Sequence, residues 1–146
     1  MTRTVVVMPG DGIGRVVVPE ALPVLAAVGH EADTVPAEIG WDCWVRKGNP
    51  LPERTLDLLR KHRFGLLGAI TSRSPAEAEK ALRPELRGQG LRYASPVLSM
   101  RRRLAMETAV RPCRTFGGNP RNFIRRKNGS IEEPVVDAVV FMQNTE

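Results

Sequence analysis

The chain has 146 residues, of which 42% are hydrophobic and 5% aromatic, and its formal net charge is +6. This composition excludes a wholly disordered protein and predicts one domain, or part of a larger one, with a mainly aliphatic core. No apolar run approaches the roughly 20 residues that span a bilayer, and the N-terminus lacks the pattern of a signal peptide. Cys43 and Cys113 match neither a metal-binding pattern nor a disulfide framework, so a cytoplasmic protein with reduced thiols is expected.

The order of apolar runs and turn signals in the first half predicts an α/β fold. "TRTVVVMP" predicts a buried strand that the turn "PGDGIG" ends, and a helix pattern follows. Pro19 and Pro23 weaken that helix prediction, because an interior proline costs about 3 kcal/mol. The predicted segments are strands over 2–9, 31–41 (the least clear) and 64–70, and helices over 13–28 and 52–62. This alternation predicts a mostly parallel sheet flanked by helices.

The second half of the chain is less regular. Ser95 is placed as an N-cap, and Pro96 stands at the first position of a helix. The final apolar run, 135–141, predicts a strand buried on both faces of a parallel sheet, with polar residues up to Glu146 at its end. The other segments are a polar turn at 71–75, an irregular stretch at 83–94, a helix over 95–108, an extended piece at 109–114 and an exposed loop or mobile hairpin at 115–133.

Positive charge is concentrated in one stretch of the chain. Residues 83–127 contain twelve Arg or Lys and two acidic residues, a local charge of +10. Such a surplus predicts an anionic ligand, which could be a polyphosphate, a nucleic acid or a multiply charged small acid. Nucleic acid is the poorest of these, because aromatic residues are not interleaved with the arginines and no nucleic-acid-binding motif is present.

The glycine-rich turn "PGDGIG" allows a close approach of the backbone to a phosphate or a cofactor. Its spacing is G-x-G-x-G, however, with Arg15 where the dinucleotide-binding fingerprint has its third glycine. Glu38 stands at a tolerable distance for an acid that binds a ribose. On spacing alone, a plain tight turn is favoured over a dinucleotide site.

Arginines are the other candidates for a binding site. Arg101 and Arg111 could hold a di- or tricarboxylic acid, because a guanidinium binds a carboxylate bidentately at any working pH. The alternative is that Arg101, Arg102 and Arg103 form a solvated helix face. His30 and His62 are isolated, and no metal-ligand spacing is present.

Five stretches, taken in order, resemble the N-terminal part of the β-decarboxylating dehydrogenases, the family of isocitrate, homoisocitrate and isopropylmalate dehydrogenases. They are "MPGDGIGRVVVPEAL", "AEIGWDCWVRKGNPLPERTLDLL", "LLGAITS", "SPVLSMRRRLAMETAVRP" and "VVDAVVFMQNTE". The second is most similar to the homoisocitrate and isocitrate branches. The resemblance implies an isopropylmalate-dehydrogenase-like α/β fold, incomplete relative to the family, with residues 1–112 in the large nucleotide and substrate domain and 113–146 opening the smaller domain.

The resemblance also implies an activity: oxidation of a 2-hydroxy acid with NAD or NADP and Mg²⁺ or Mn²⁺, followed by loss of a carboxylate. The positions that it assigns to substrate binding are Ser72, Ser95, Arg101 and Arg111. The positions that it assigns to cofactor binding are Ile13, Thr71, Ser72 and Asn144. It implies a small anionic 2-hydroxy acid as substrate, and a homo-oligomer or a hetero-oligomer with a homologue.

The sequence departs from the family pattern at several of these places. "AMETA" at 105–109 replaces the family's D-L-Y-A-N. Val97 stands where many isocitrate enzymes have asparagine, and Leu98 where homoisocitrate enzymes can have arginine. Met142 and Gln143 replace an arginine and a glutamate. One arginine expected to hold substrate is therefore missing.

The family's catalytic tyrosine, lysine and metal-binding aspartates come after the last matching motif. No catalytic or metal-binding residue is therefore assigned within these 146 residues, and Tyr93, which lies upstream, does not match the family tyrosine. The expectation is the N-terminal part of a decarboxylating dehydrogenase that is inactive as an isolated chain. The alternatives are a non-catalytic partner subunit of a full-length homologue and a basic nucleic-acid-binding protein.

Overall fold

The computed structural model describes residues 3–144, and it divides into two compact units between Leu104 and Ala105. The predicted division into family domains after residue 112 concerns the full-length proteins and stays a prediction.

The first unit is a three-stranded parallel sheet with helices, in the strand order β2-β1-β3. Its strands are β1 (Arg3–Gly10), β2 (Ala32–Pro36) and β3 (Gly65–Ala69). Its helices are α1 (Gly14–Ala27), α2 (Trp41–Lys47), α3 (Glu53–His62), α4 (Pro75–Ala81) and α5 (Pro96–Arg103), with a 3₁₀ turn at Pro84–Leu86. The predicted α/β fold with a parallel sheet is confirmed, although Thr2 of the first predicted strand lies outside the described residues.

The core of this unit lies between β1 and α3. Val6 and Met8 of β1 pack with Leu56 and Leu59 of α3 and with Met100 of α5. Leu56 and Leu59 recur three residues apart, so they share one face of α3, while charged residues occupy the other. The core is aliphatic, as the composition predicts.

Three helices differ from the sequence prediction. α2 begins at Trp41, the last residue of the segment that was compatible with a strand. α4 begins at the end of the turn predicted at 71–75 and continues to Ala81, where no element was predicted. α4 has a capping box that the sequence carries, because the Ser74 hydroxyl accepts from the Glu77 N–H and the Glu77 carboxylate accepts from the Ser74 N–H. α5 begins after Ser95, as predicted, but ends at Arg103 rather than at residue 108.

The second unit contains two small antiparallel sheets. One pairs β4 (Thr108–Arg114) with β7 (Asp137–Gln143), and the other is a hairpin of β5 (Ile124–Arg125) and β6 (Ile131–Glu132). The predicted final strand forms, but its predicted burial on both faces in a parallel sheet is wrong. β7 is antiparallel to β4, and all its residues are exposed, Phe141 at 70%. An apolar run alone does not determine strand direction, since direction depends on the partner strand.

Among the helices within residues 3–144, none has both the length and the hydrophobicity needed to cross a membrane.

Candidate functional site

The turns that follow β1 and β3 are hydrogen-bonded to each other at the carboxyl edge of the parallel sheet. The Asp11 N–H donates to the Ala69 carbonyl at 2.7 Å, and the Thr71 N–H donates to Asp11 Oδ2 at 2.9 Å. One residue earlier, Gly10 is still paired with Ala69 in the sheet. Since ligands of open α/β sheets bind at this edge, the junction of the two turns is the first candidate site.

Asp11 also joins this junction to a helix. Its carboxylate, 3% exposed, accepts from the N–H groups of Trp41 at 2.7 Å and Asp42 at 3.1 Å, which are the first two residues of α2. These donors have no partner within the helix, and the carboxylate is a favourable charge at its N-terminus. Asp11 was not among the predicted site residues. The capping preference of aspartate is a local signal, whereas this helix begins thirty residues later in the chain.

The glycines of the turn have different roles. A Cβ atom at Gly10 would lie 2.1 Å from the Ala69 carbonyl oxygen, and one at Gly14 would lie 2.1 Å from the Pro9 carbonyl oxygen. Among the described residues, nothing beyond the chain neighbours lies within 4 Å of a Cβ built at Gly12. Gly10 and Gly14 thus allow backbone segments to pack closely, which favours a tight turn, while Gly12 has open space beside it.

Three of the candidate site residues lie in these turns, at the carboxyl edge of the parallel sheet. Ile13 is the N-cap residue of α1, and its side chain is 64% exposed. Thr71 is half-buried and Ser72 is exposed, directly after β3 and Ile70. The structure therefore brings Ile13, Thr71 and Ser72 to the same edge of the sheet, and their contact with a cofactor or a substrate stays a prediction.

Tyr93 contacts the same edge from the segment before α5. Its hydroxyl donates to the Thr71 carbonyl at 3.0 Å, and its ring packs edge-on against the rings of Trp41 and Trp44. Burial raises the pKa of the Tyr93 phenol, and the nearby charge of Asp11 raises it further. The phenol is therefore a structural hydrogen-bond donor here.

Glu38 follows β2 at the same sheet edge and lines a cleft of about 250 Å³, together with residues of β1, α1 and α2. Its carboxylate accepts a hydrogen bond from Arg46 at 2.8 Å and pairs with Lys47. The hydrogen bond from Lys47, followed by that from Arg46, lowers the pKa of Glu38 below its ordinary value, against the opposing effect of burial. Glu38, which stands at a tolerable distance for a ribose-binding acid, is thus engaged in ion pairs with Arg46 and Lys47 of α2.

The ion pairs of Glu38 predict a pH dependence. Because the pKa of Glu38 is lower in the folded protein than its ordinary 4.5, the pairs stabilise the fold above about pH 5, and this stabilisation is lost as the pH falls through the folded-state pKa. Urea unfolding of wild type and Glu38→Gln from pH 7 to pH 3 should show a difference in unfolding free energy that shrinks on acidification. Glu20→Gln, an exposed carboxylate of α1, controls for charge. A difference that persists at pH 3 would refute the assignment.

The arginines of α5 are not equivalent. Arg103 pairs with Glu53 at 2.6 Å, which links α5 to α3. Arg101 is half-buried, Arg102 is exposed, and neither forms an ion pair with any carboxylate of residues 3–144. Ser95 caps the helix by accepting from the Leu98 N–H at 3.4 Å. The alternative of a solvated helix face is therefore true of Arg102. Arg101 is half-buried and has no counterion from the described part of the chain.

Two predicted site residues belong to the second unit. Arg111 is exposed on β4, and the Asn144 N–H donates to the Glu107 carbonyl at 2.7 Å. In the β4–β7 register, Arg111 is opposite Val140 and Ala109 is opposite Met142. Arg111 and Met142 therefore lie on the same face of this sheet. Thr145 and Glu146 lie outside the described residues.

Part of the basic stretch 83–127 is neutralised by carboxylates outside it. Arg103 pairs with Glu53, and the second unit contains two more such pairs: Arg114–Asp137 and Arg126–Glu132. The stretch is also divided between the two units. These pairs reduce the charge that would be available to a nucleic acid, which remains the least supported of the alternatives.

The family follows from comparison with known proteins. A model of the isocitrate/isopropylmalate dehydrogenase family matches residues 4–146. The chain belongs to this family. The resemblance predicted from the five ordered motifs is thereby confirmed, and so is the family fold.

Individual members of the isocitrate/isopropylmalate dehydrogenase family are similar over much of the chain. Protein DlpA of Legionella pneumophila is 38% identical over 75% of this chain and 18% of its own length. The homoisocitrate dehydrogenase of Methanocaldococcus jannaschii is 32% identical over 97% of this chain and 37% of its own length. The crystal structure of isocitrate dehydrogenase from Methylococcus capsulatus matches with a TM-score of 0.74 and 28% identity, over 99% of this chain and 35% of that one. The chain thus spans 18–37% of the length of these relatives.

Proposed function

We propose that this chain supplies the first part of the cofactor and substrate site of a metal- and NAD(P)-dependent oxidative decarboxylase of a 2-hydroxy di- or tricarboxylic acid, of isocitrate or homoisocitrate type. The observation that supports this most is the hydrogen-bonded junction of the turns after β1 and β3, with Ile13, Thr71 and Ser72 at one sheet edge. In the proposal, Ile13 and Thr71 contact the cofactor, and Ser72 contacts both cofactor and substrate.

The residues at this edge fit one wall of a nicotinamide site. The exposed Ile13 side chain offers an apolar surface, Gly12 leaves open space for a close approach, and the Ser72 hydroxyl is accessible. When bound, the nicotinamide would accept the hydride removed from the substrate carbon that carries the hydroxyl. Asn144 of the second unit is a further proposed cofactor contact, by resemblance alone.

Substrate carboxylates are proposed to bind Arg101, Ser95 and Arg111. Arg101 is half-buried and has no carboxylate partner within residues 3–144, so its guanidinium can form a bidentate pair with a ligand. The Ser95 hydroxyl uses a lone pair to cap α5, which leaves its O–H to donate to a bound oxygen. Arg111 is exposed on β4 and is proposed by resemblance.

The divalent ion does not fit the described residues. Within residues 3–144, no group of three or more His, Cys, Asp or Glu side chains could hold a metal ion. Tyr93, the one tyrosine of the sequence, uses its hydroxyl to bond Thr71. We therefore expect no turnover by these 146 residues alone.

Calorimetric titration of the chain with isocitrate, homoisocitrate and 3-isopropylmalate tests the substrate proposal. At least one acid should bind, and Arg101→Ala should weaken its affinity about 10- to 100-fold, since a charge-assisted hydrogen-bonded pair contributes about 1.5–3 kcal/mol. The matched control is Arg102→Ala, which removes the neighbouring exposed arginine and should change affinity less than about 2-fold.

Thermal melts of both arginine variants should match wild type, which separates a binding defect from misfolding. Binding of none of the three acids, or equal losses in Arg101→Ala and Arg102→Ala, would contradict the proposal. Turnover of the same acids by the chain alone, with NAD or NADP and Mg²⁺ or Mn²⁺, would contradict the expected inactivity.

A second candidate function is a non-catalytic partner subunit. Met142 lies on the same sheet face as Arg111, at a position where the resemblance expects another arginine, and this loss suits a subunit without full substrate binding. Such a subunit would form a stable complex with a full-length homologue in the cytoplasm. The first proposal is also compatible with association between copies of this chain. Co-expression followed by native mass spectrometry tests this, and absence of a mixed complex would reject it.

A further inference from the structure

Thr71 is held on both sides by side chains from other parts of the chain. Its N–H donates to Asp11 Oδ2 at 2.9 Å, and its carbonyl accepts from the Tyr93 hydroxyl at 3.0 Å. We propose that Asp11 and Tyr93 are positioning residues that fix the backbone of Thr71 and so set the direction of the Thr71 and Ser72 side chains. This inference rests on the proposed function, in which those two side chains contact the ligands.

The geometry of the peptide group explains how two hydrogen bonds constrain this turn. The Thr71 nitrogen belongs to the planar peptide that precedes its Cα, and the Thr71 carbonyl belongs to the planar peptide that follows it. Because each peptide is planar, fixing both planes fixes the two soft backbone dihedrals of Thr71. The direction of its Cα–Cβ bond follows, and so does the path of the chain into Ser72.

The two holding side chains are connected to each other through α2. Asp11 accepts from the Trp41 N–H at 2.7 Å, and the ring of Trp41 packs edge-on against Tyr93 with a centroid separation of 5.3 Å. The buried Trp44 packs against Tyr93 at 5.5 Å and donates from Nε1 to the Ala78 carbonyl at 2.8 Å. The contacts thus close a ring through Asp11, α2, Tyr93 and Thr71.

Close packing keeps this ring in one arrangement. Gly40, which precedes α2, has a φ of +108°, and a Cβ atom there would lie 2.5 Å from Asp11 Oδ2. The Asp11 carboxylate therefore fills the space that a side chain at residue 40 would need. A carboxylate packed in this way cannot change its hydrogen-bond partners without moving α2.

Tyr93→Phe is the main test, because it removes one hydroxyl and keeps the ring between Trp41 and Trp44. Amide hydrogen exchange of Thr71, whose N–H is bonded to Asp11, should become about tenfold faster when measured by NMR on the whole chain, with the melting temperature nearly unchanged. Asp11→Asn, which keeps the size but loses an acceptor, should produce the same local effect. Thr115→Val is the control in the second unit, since it removes a hydroxyl that donates to the Val136 carbonyl at 3.3 Å and accepts from the Val136 N–H at 2.9 Å.

Titration of the same variants with NADH and with isocitrate gives a readout that a purely structural role would not change. Affinity should fall about 3- to 10-fold in Tyr93→Phe and stay unchanged in Thr115→Val. Unchanged exchange at Thr71 in both Tyr93→Phe and Asp11→Asn would overturn the inference. In Tyr93→Phe, a uniform increase in exchange across the first unit with a lower melting temperature would also overturn it, as would faster local exchange without loss of affinity.

Failure of the proposed function has a different signature. If wild type binds neither NADH nor NADPH, and none of isocitrate, homoisocitrate and 3-isopropylmalate, the proposed ligand contacts are wrong for this chain. The exchange rates then decide the positioning of the turn by themselves: local acceleration at Thr71 supports it, and an unchanged rate there rejects it.

Discussion

Replacing Gly10 with alanine is expected to destabilise the first unit by about 3–5 kcal/mol. The new Cβ atom would lie 2.1 Å from the carbonyl oxygen of Ala69, and its clash with backbone cannot be relieved by a side-chain rotation. The φ of +74° adds the cost of a left-handed conformation, about 1–2 kcal/mol for a residue with a Cβ. Urea unfolding followed by tryptophan fluorescence measures this loss in the first unit alone, because Trp41 and Trp44, the two tryptophans of the sequence, both lie in α2.

Gly12→Ala provides a matched control from the same turn. Gly12 also has a positive φ, +51°, but an added Cβ atom would meet none of the described residues within 4 Å. Only the backbone cost applies, so a loss of about 1–2 kcal/mol is expected. Equal losses for Gly10→Ala and Gly12→Ala would show that conformation, and not the contact with Ala69, determines the need for glycine at residue 10.

Asp11→Ala is expected to destabilise the first unit by a similar amount, about 3–5 kcal/mol. Three backbone N–H groups, those of Trp41, Asp42 and Thr71, lose their acceptor. A buried donor left unpaired costs about 1–3 kcal/mol, and water reaching these partly buried groups reduces the sum. The measurement is again urea unfolding by tryptophan fluorescence.

The control for this variant is Asp33→Ala, which removes an exposed aspartate of β2 that has no ion-pair partner within residues 3–144. Its effect should stay within about 0.5 kcal/mol, the usual range for a surface substitution. A loss in Asp11→Ala no larger than that in Asp33→Ala would mean that the three hydrogen bonds do not hold the junction of the turns.

Several elements of the fold follow from short-range sequence patterns. The apolar spacing of Leu56 and Leu59, with Glu53 at the start and basic residues at the end, is sufficient to predict α3. Ser95 and Pro96 likewise mark the start of α5. α4 was predictable in principle from Ser74 and Glu77, because a capping box depends only on residues three positions apart. α2 was not predictable from a local pattern, since the acceptor for its first N–H groups is Asp11, far away in the chain.

Patterns of polarity did not determine the environment of the last strand. The run from Val135 to Phe141 has the hydrophobicity of a doubly buried strand, yet β7 pairs only with β4 among the described residues, and its residues are exposed. Burial depends on which other segments cover a strand, and this chain spans little more than a third of the length of relatives such as the Methanocaldococcus jannaschii homoisocitrate dehydrogenase.

The sequence by itself determined the family and the parallel α/β architecture, because five motifs in a fixed order and the alternation of strands and helices are properties of the chain. Only the tertiary structure decided the roles of individual site residues. Arg101 and Arg103 belong to one run of arginines, and it is Glu53, fifty residues away, that pairs with Arg103 and leaves Arg101 unpaired among the described residues. In the sequence, Asp11 is one polar residue in a turn. In the structure, its carboxylate accepts hydrogen bonds from the N–H groups of Trp41, at the start of α2, and of Thr71. Hydrogen bonds and ion pairs depend on distances in space, which the spacing of residues along the chain does not contain.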